Sequence, residues 1–165
     1  MGMVACFAAV SPDTLEQLRS NPEDMDEYLH PNDGDDEPPN SIEIDKAWHG
    51  IHYLLTGQED GGAEPWAWAV LGGEELGPEV GYGPARFLTP AQVAAVAEGL
   101  AGLSIDTLRQ RFMPQDMEAK GIYPEVIWVR DGADALDYLL SFYPDLVAFY
   151  RDAAARGDGV LQWLS

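Results

Sequence analysis

Met3-Val4-Ala5-Cys6-Phe7-Ala8-Ala9-Val10-Ser11-Pro12-Asp13-Thr14-Leu15 changes character at Ser11, and that change sets the fold class. Met3–Val10 is a short apolar run bounded by a helix start, the pattern of a buried strand. Ser11 has a side-chain oxygen suited to an N-cap. Pro12 fits the first helical position, where its missing N–H costs nothing. Leu15 and Leu18 then supply one apolar helical face. A strand followed at once by a helix opens the chain.

The same alternation recurs downstream. Pro22–Leu29 reads as a short helix and Ser41–Ile44 as a short strand. Asp45 is placed to cap a helix that runs to Thr56, with Gly57 as its C-terminal stop. Pro65–Leu71 is apolar and aromatic and fits strand or helix, and Gly72–Gly83 is rich in turns. Thr89, Pro90 and Gln92 make a capping box for a helix carrying Val93, Val96, Ala97 and Leu100. Ser104 caps another, with Ile105, Leu108 and Phe112 on one face. Ile122–Val129 is β-branched and aromatic and is predicted as a strand. Ala133–Phe142 and Asp145–Arg156 are predicted helices, broken or kinked at Pro144. Val160–Leu164 closes the chain as a strand. Strands at the start, middle and end with helices between predict an α+β fold. The expectation is one domain over residues 1–165, a small mixed β-sheet against several helices, compatible with a three-layer α/β/α arrangement.

A chain of 165 residues is long enough to bury one real core. It carries 29 acids against 9 bases, a formal net charge of −20. Repulsion of that size holds nucleic acid, anionic membrane and nucleotide phosphates away and favours a basic protein partner. The bland alternative is that the acidity serves solubility alone. Cys6 is the single cysteine, so no internal disulfide is expected. The apolar run around it is too short to span a bilayer and lacks a cationic leader, so a cytoplasmic location is expected.

Eight of the acids fall between Glu23 and Glu37 with no Lys or Arg among them. Residues 31–40 read as an acidic, mobile loop insertion, since like charges and Pro38-Pro39 oppose a helix. Gly34 is out of register for a calcium-binding EF-hand loop. No metal site and no cofactor are expected.

The Asp45–Thr56 segment carries the most chemistry. Ala47, Trp48, Ile51, Leu54 and Leu55 share one side of the helix, and Asp45, His49, His52 and Thr56 the other, with Trp48 at the border. Two imidazoles a turn apart behind a carboxylate suit a base with its orienting acid. They lack the third ligand and the intervening Glu of a zinc site. The plainer alternative makes Asp45 a cap and gives His52 a structural hydrogen bond. Gly81-Tyr82-Gly83 runs into Pro84 and has no phosphate-loop continuation. Arg86, Arg109, Arg111 and Arg130 are scarce cations, and one lining a pocket becomes a clamp for a carboxylate or other anion. Asp45, Trp48, His49, His52, Tyr82 and Arg86 are therefore the candidate pocket residues. Nothing marks a catalytic nucleophile, and Cys6 in its apolar strand is expected to be inert.

Three blocks carry a family resemblance: Met1-Gly2-Met3-Val4-Ala5-Cys6-Phe7-Ala8, Ile44-Asp45-Lys46-Ala47-Trp48-His49-Gly50-Ile51-His52-Tyr53-Leu54-Leu55-Thr56-Gly57, and Tyr82-Gly83-Pro84-Ala85-Arg86-Phe87-Leu88-Thr89-Pro90. With Ile122-Tyr123-Pro124 before a Trp-containing segment, they resemble the YfbM-like family of small bacterial proteins. The resemblance implies a one-domain helix-and-sheet fold and a bacterial cytoplasmic setting. It implies no activity and no catalytic residues.

Two functions compete on the sequence. One is an acidic protein-binding module of the inhibitor or immunity type. The alternative is a small-molecule-binding protein or enzyme with a site around Asp45, His49, His52 and Arg86. A third, nucleic-acid mimicry, needs carboxylates on a rigid surface, which a mobile loop does not provide.

Overall fold

The computed structural model describes residues 2–165. Five strands, β1 (Ala5–Val10), β2 (Ser41–Glu43), β3 (Glu74–Glu79), β4 (Pro84–Leu88) and β5 (Gly159–Leu164), form one sheet in the order β2-β1-β5-β4-β3. Every neighbouring pair is antiparallel. The α+β class holds, but the sheet is antiparallel throughout rather than mixed. Hydrophobic pattern marks where strands lie and not which way they run.

Period-two alternation along the strands separates two cores. Ala5, Phe7 and Ala9 of β1, Leu88 of β4 and Val160 of β5 face one side. Helices α3 (Trp48–Thr56), α4 (Pro90–Ala101) and α8 (Ala133–Arg156) cover that side. Ala8, Val10, Ala85, Phe87, Leu161 and Trp163 face the other. There α1 (Pro12–Ser20) and α2 (Met25–Leu29) close over them with Leu15, Leu18, Met25 and Leu29. The molecule is thus three layers, helices on both faces of an antiparallel sheet. The short helices α5 (Ile105–Arg111), α6 (Pro114–Ala119) and α7 (Ile127–Asp131) extend the larger layer.

The helix starts follow local chemistry. Ser11, Thr89 and Ser104 each accept a backbone N–H from their own first turns, and Thr89 with Gln92 completes the capping box. Gly57 and Gly157 end α3 and α8 in the left-handed conformation. Two segments differ from the predicted elements. Helix α8 runs unbroken through Pro144. Its buried stripe, from Ala135 through Leu139, Tyr143 and Leu146 to Tyr150 and Ala153, continues on both sides of the proline. Burying a large apolar side chain is worth about 1.5–3 kcal/mol, so several of them outweigh the ~3 kcal/mol cost of one helical proline. The second is Ile122–Val129, a turn followed by α7 rather than a strand. Ile122 and Trp128 are fully buried there, while Val126 and Val129 face solvent. Of the remaining predictions, the Pro65–Leu71 segment contains a single 3-10 turn, Trp66–Trp68. The turn-rich Gly72–Gly83 contains an edge strand, β3.

In the 31–40 segment, Asn32 and Asp33 take left-handed backbone conformations, and Asn32 donates to the Asp36 carboxylate. Pro38 is buried, whereas Asp33, Asp35, Asp36 and Glu37 are exposed.

Candidate functional site

Three of the sequence blocks meet around Met3. The Trp48 indole donates to the Met3 carbonyl at 2.8 Å, and the Met3 N–H donates to the Tyr123 hydroxyl at 2.9 Å. Trp48 also stacks on His49, with centroids 5.0 Å apart and planes 10° apart, and on Tyr123 at 5.4 Å and 23°. The lead-in to β1 is held by an aromatic stack from α3 and from the turn before α7.

Asp45 does not cap α3. It opens a 3-10 turn, Asp45–Ala47, with φ at +48°, and makes no capping bond. Its carboxylate instead accepts from the Tyr138 hydroxyl at 2.6 Å and from Lys46 Nζ at 3.1 Å. The Tyr138 hydrogen bond, with the charge of Lys46, holds the Asp45 carboxyl below the usual carboxylate range. Asp45 therefore ties α3 to α8.

Both imidazoles act as tethers. His49 Nδ1 accepts from the Tyr123 N–H, and Nε2 donates to the Glu59 carbonyl at 2.8 Å. Those two bonds fix the Nε2–H tautomer and leave no ring nitrogen of His49 free for a ligand. His52 is fully buried, and its Nε2 donates to the Gly61 carbonyl at 3.0 Å. Burial depresses the pKa of His49 and pulls that of His52 down to about 4. Together the two rings hold the loop after Gly57 against α3. His52 Nδ1 is buried without a partner among the described residues.

Tyr82 and Arg86 stand elsewhere, at the β4 side of the sheet. They line a cavity of about 60 Å³ together with Ala5, Leu71, Gln162 and Leu164. Pairing between β4 and β5 runs from Leu88↔Val160 to Arg86↔Gln162 and stops there. Pro84, with no N–H to give, lies beyond that point. Gln162 is buried, and its Nε2 donates to the Trp68 and Ala69 carbonyls at 2.7 and 3.1 Å. Its Oε1 has no partner among the described residues. The candidate set therefore divides into Asp45, Trp48, His49 and His52 on α3 and its approach, and Tyr82 with Arg86 at this cavity. Two residues the sequence reading passed over complete these places. Tyr138 carried no signal in sequence, but Gln162 did: it is the one polar residue of Val160–Leu164.

The profile of the family described as Domain of unknown function (DUF1877) matches residues 1–163. The chain belongs to this family. It shares its fold with the crystal structure of YfbM from Escherichia coli, a protein of unknown function. The two superpose with a TM-score of 0.77 at 23% identity, over 99% of this chain and 100% of that one. No curated protein matches the chain. As a family member it has no helix, among the described residues, long and apolar enough to cross a membrane.

The charges of this DUF1877 chain are unevenly spread. Asp13, Glu16, Glu23, Asp24, Asp26, Glu27, Asp33, Asp35, Asp36, Glu37 and Glu43 are all exposed on or beside the α1–α2 layer. The only Lys or Arg in that stretch is Arg19, whose guanidinium lies 4.9 Å over the Phe87 ring. The other cations are engaged too. Lys46, Arg86, Arg109, Lys120, Arg130, Arg151 and Arg156 each pair with an acid of the same chain. Arg111 donates to the Leu54 and Leu55 carbonyls at 3.1 and 3.2 Å, at the end of α3. Below the 31–40 segment, Cys6, His30, Asp36, Glu37, Glu43 and Trp163 line a cavity of about 170 Å³. Burial, reinforced by Glu43 and Glu37, pushes the Cys6 thiol up to about 12.

Proposed function

We propose that the chain is an acidic protein-binding module of the inhibitor or immunity type, and that its α1–α2 face receives a basic protein. The observation that carries this reading is the exposed carboxylates from Asp13 to Glu43, accompanied by one guanidinium that is already stacked on Phe87. Such a one-signed face steers a cationic partner and speeds its encounter. The cavity beside Glu37 and Glu43 has the sign and the room for a lysine or arginine head group. The same field repels nucleic acid. Asp33, Asp35, Asp36 and Glu37 of the 31–40 segment form the exposed rim of this surface.

The test compares the chain with two five-fold amide variants of equal net charge. One neutralises Asp24, Asp26, Glu27, Asp36 and Glu37. The other neutralises Glu98, Asp106, Glu125, Asp134 and Asp145 on the opposite layer. Each is used as bait in lysate at low and at moderate salt. A basic protein held at low salt by the wild type and the second variant, but not by the first, supports the reading. Equal retention by both variants, or an empty eluate from all three, overturns it.

A further inference from the structure

The two edges of the sheet are finished differently. β3 carries Pro78 and a break in register between Leu76 and Glu79. A side chain on Gly77 would run into the Pro22 carbonyl, so the chain after α1 lies over that edge. Prolines, bulges and covering segments guard an edge against strand addition. β2 has no proline and no bulge, and its register on β1 is regular from Cys6↔Glu43 to Ala8↔Ser41. The Asn40 carbonyl accepts from the Ala9 N–H, and the Ile44 N–H donates to the Ala5 carbonyl, each at 3.0 Å. Residues 40, 42 and 44 therefore face β1, and the N–H and C=O of Ser41 and Glu43 face outward. β2 ends the sheet, and among the described residues no turn or loop bond uses those four groups. A groove of about 570 Å³ touches Asn40, Ser41, Ile42 and Glu43 in succession. Successive strand residues point to opposite faces, so a groove that meets four in a row runs along the edge itself.

We infer that the β2 edge receives an extended segment of a basic protein as an added antiparallel strand, with basic residues alternating with apolar ones. The inference rests on the reading of the chain as a binder of a basic protein, and it names how that partner is gripped. Ser41 and Glu43 pair with Ala8 and Cys6, whose side chains lie on the α1–α2 side. Residues set opposite them project to that side, where Glu37 and Glu43 line the cavity of about 170 Å³. Lysine or arginine fits there. The intervening residues lie with Ile42 on the α8 side, against Ala148 and Phe149, where valine or isoleucine fits. Neither Glu37, Glu43 nor the nearby Asp145 is paired with a cation among the described residues, and the groove's Arg156 is paired with Asp158. A second copy of the chain would set these carboxylates against their own image, at a net charge of −20 on each side. Because β2 has only three residues, backbone bonds alone hold a strand weakly, so both rows of side chains are needed and the edge is selective.

The probe is the peptide acetyl-Lys-Val-Lys-Val-Lys-amide, titrated into the isotope-labelled chain at about 0.15 M salt, where long-range attraction is screened. The Ser41 and Glu43 amides should move downfield and exchange with deuterium about tenfold more slowly, while that of Ile42, turned toward β1, stays in place. In an antiparallel strand the lysines opposite Ser41 and Glu43 turn their N–H groups to β2, and the valines turn theirs away. N-methylation of the lysines should therefore weaken binding about tenfold or more, and N-methylation of the valines by less than about threefold. Equal effects of the two methylations show attraction of charge alone and overturn the added strand. So does a peptide that fails to bind, or that binds without protecting Ser41 and Glu43. Protection that rises with the chain's own concentration, in the absence of peptide, puts a second copy on the edge and overturns it too. The lysate comparison reads the basic partner without reference to β2: a protein retained there beside a failed titration removes the added strand and leaves the partner.

Discussion

The Nδ1 of His49 accepts the backbone N–H of Tyr123 at 2.8 Å, across 74 residues of sequence. That contact requires an unprotonated Nδ1. His52, one turn on, is likewise held neutral by burial.

The stability of the fold should therefore depend on pH through these rings. The unfolded His52 takes up a proton near pH 6.5, whereas the folded imidazole resists protonation down to about 4. Between those values the unfolded chain binds more protons, so stability falls as pH falls. A shift of that size corresponds to roughly 3 kcal/mol lost across the window. His49, also depressed, adds to the loss in the same direction. Urea denaturation at pH 7.5 and pH 4.5 measures the slope. His52→Gln keeps a donor for Gly61 and cannot titrate, so its slope should be clearly shallower. A slope identical to that of the wild type would mean that His52 is not the group responsible.

Gly50 should tolerate no larger residue. A methyl there falls 2.7 Å from Leu139 Cδ2 and 2.8 Å from Trp128 Cη2. Helix propensity favours Ala over Gly by about 1 kcal/mol, but overpacking a dense core costs about 1–3 kcal/mol. Gly50→Ala is expected to lower the midpoint of thermal unfolding. A raised midpoint would show that α3 and α8 have slack between them.

Tyr138→Phe removes the 2.6 Å bond to Asp45 and leaves a carboxylate with Lys46 as its remaining side-chain partner. Hydrogen bonds to charged groups contribute about 1.5–3 kcal/mol, and Asp45 is half-buried, so a loss of about 1–2 kcal/mol is expected. Asp45→Asn tolerates the positive φ and should cost less. Chemical denaturation of both variants ranks them, and the reverse order would assign the cost to the lost charge of Asp45 beside Lys46 rather than to the hydroxyl.

Added salt should stabilise the chain. Its ion pairs lie largely at the surface, where each is worth about 0–1 kcal/mol, while the excess of carboxylates repels itself throughout. Melting followed by circular dichroism from 10 mM to 0.5 M sodium chloride should show a rising midpoint, with the larger part of the rise below about 0.15 M, where screening changes most. A falling midpoint would give the ion pairs the greater weight.

Much of this structure is legible in local chemistry. Ser11-Pro12, Thr89-Pro90 and Ser104 start helices because their side chains satisfy orphan N–H groups within a few residues, a requirement met without tertiary help. The closing strand and the opening strand show in their composition. What could not be read depends on distant partners. Glu74–Glu79 has no strand pattern, and it is a strand because it lies at the sheet's edge against β4, where charged residues and a proline are tolerated. Ile122–Val129 has strand composition but only Ile122 and Trp128 turn inward, and the Trp128 indole donates back to the Ile122 carbonyl at 2.8 Å. At the candidate sites, the helical wheel put Asp45, His49 and His52 on one polar side, whereas Asp45 lies in the 3-10 turn before α3 and His52 is fully buried. It had no means of showing that their partners would be Tyr138, Tyr123 and Gly61.

The first and last strands of the chain lie side by side at the centre of the sheet, and the backbones of Val4 and Ser165 exchange hydrogen bonds at 2.9 and 2.8 Å. During synthesis β1 emerges early and β5 late, so the middle of the sheet is assembled after its margins. Until then β1 has only β2 beside it and offers an open edge to any passing strand. The central pairing of the sheet is therefore among its most distant in sequence, the kind of non-local contact that slows folding.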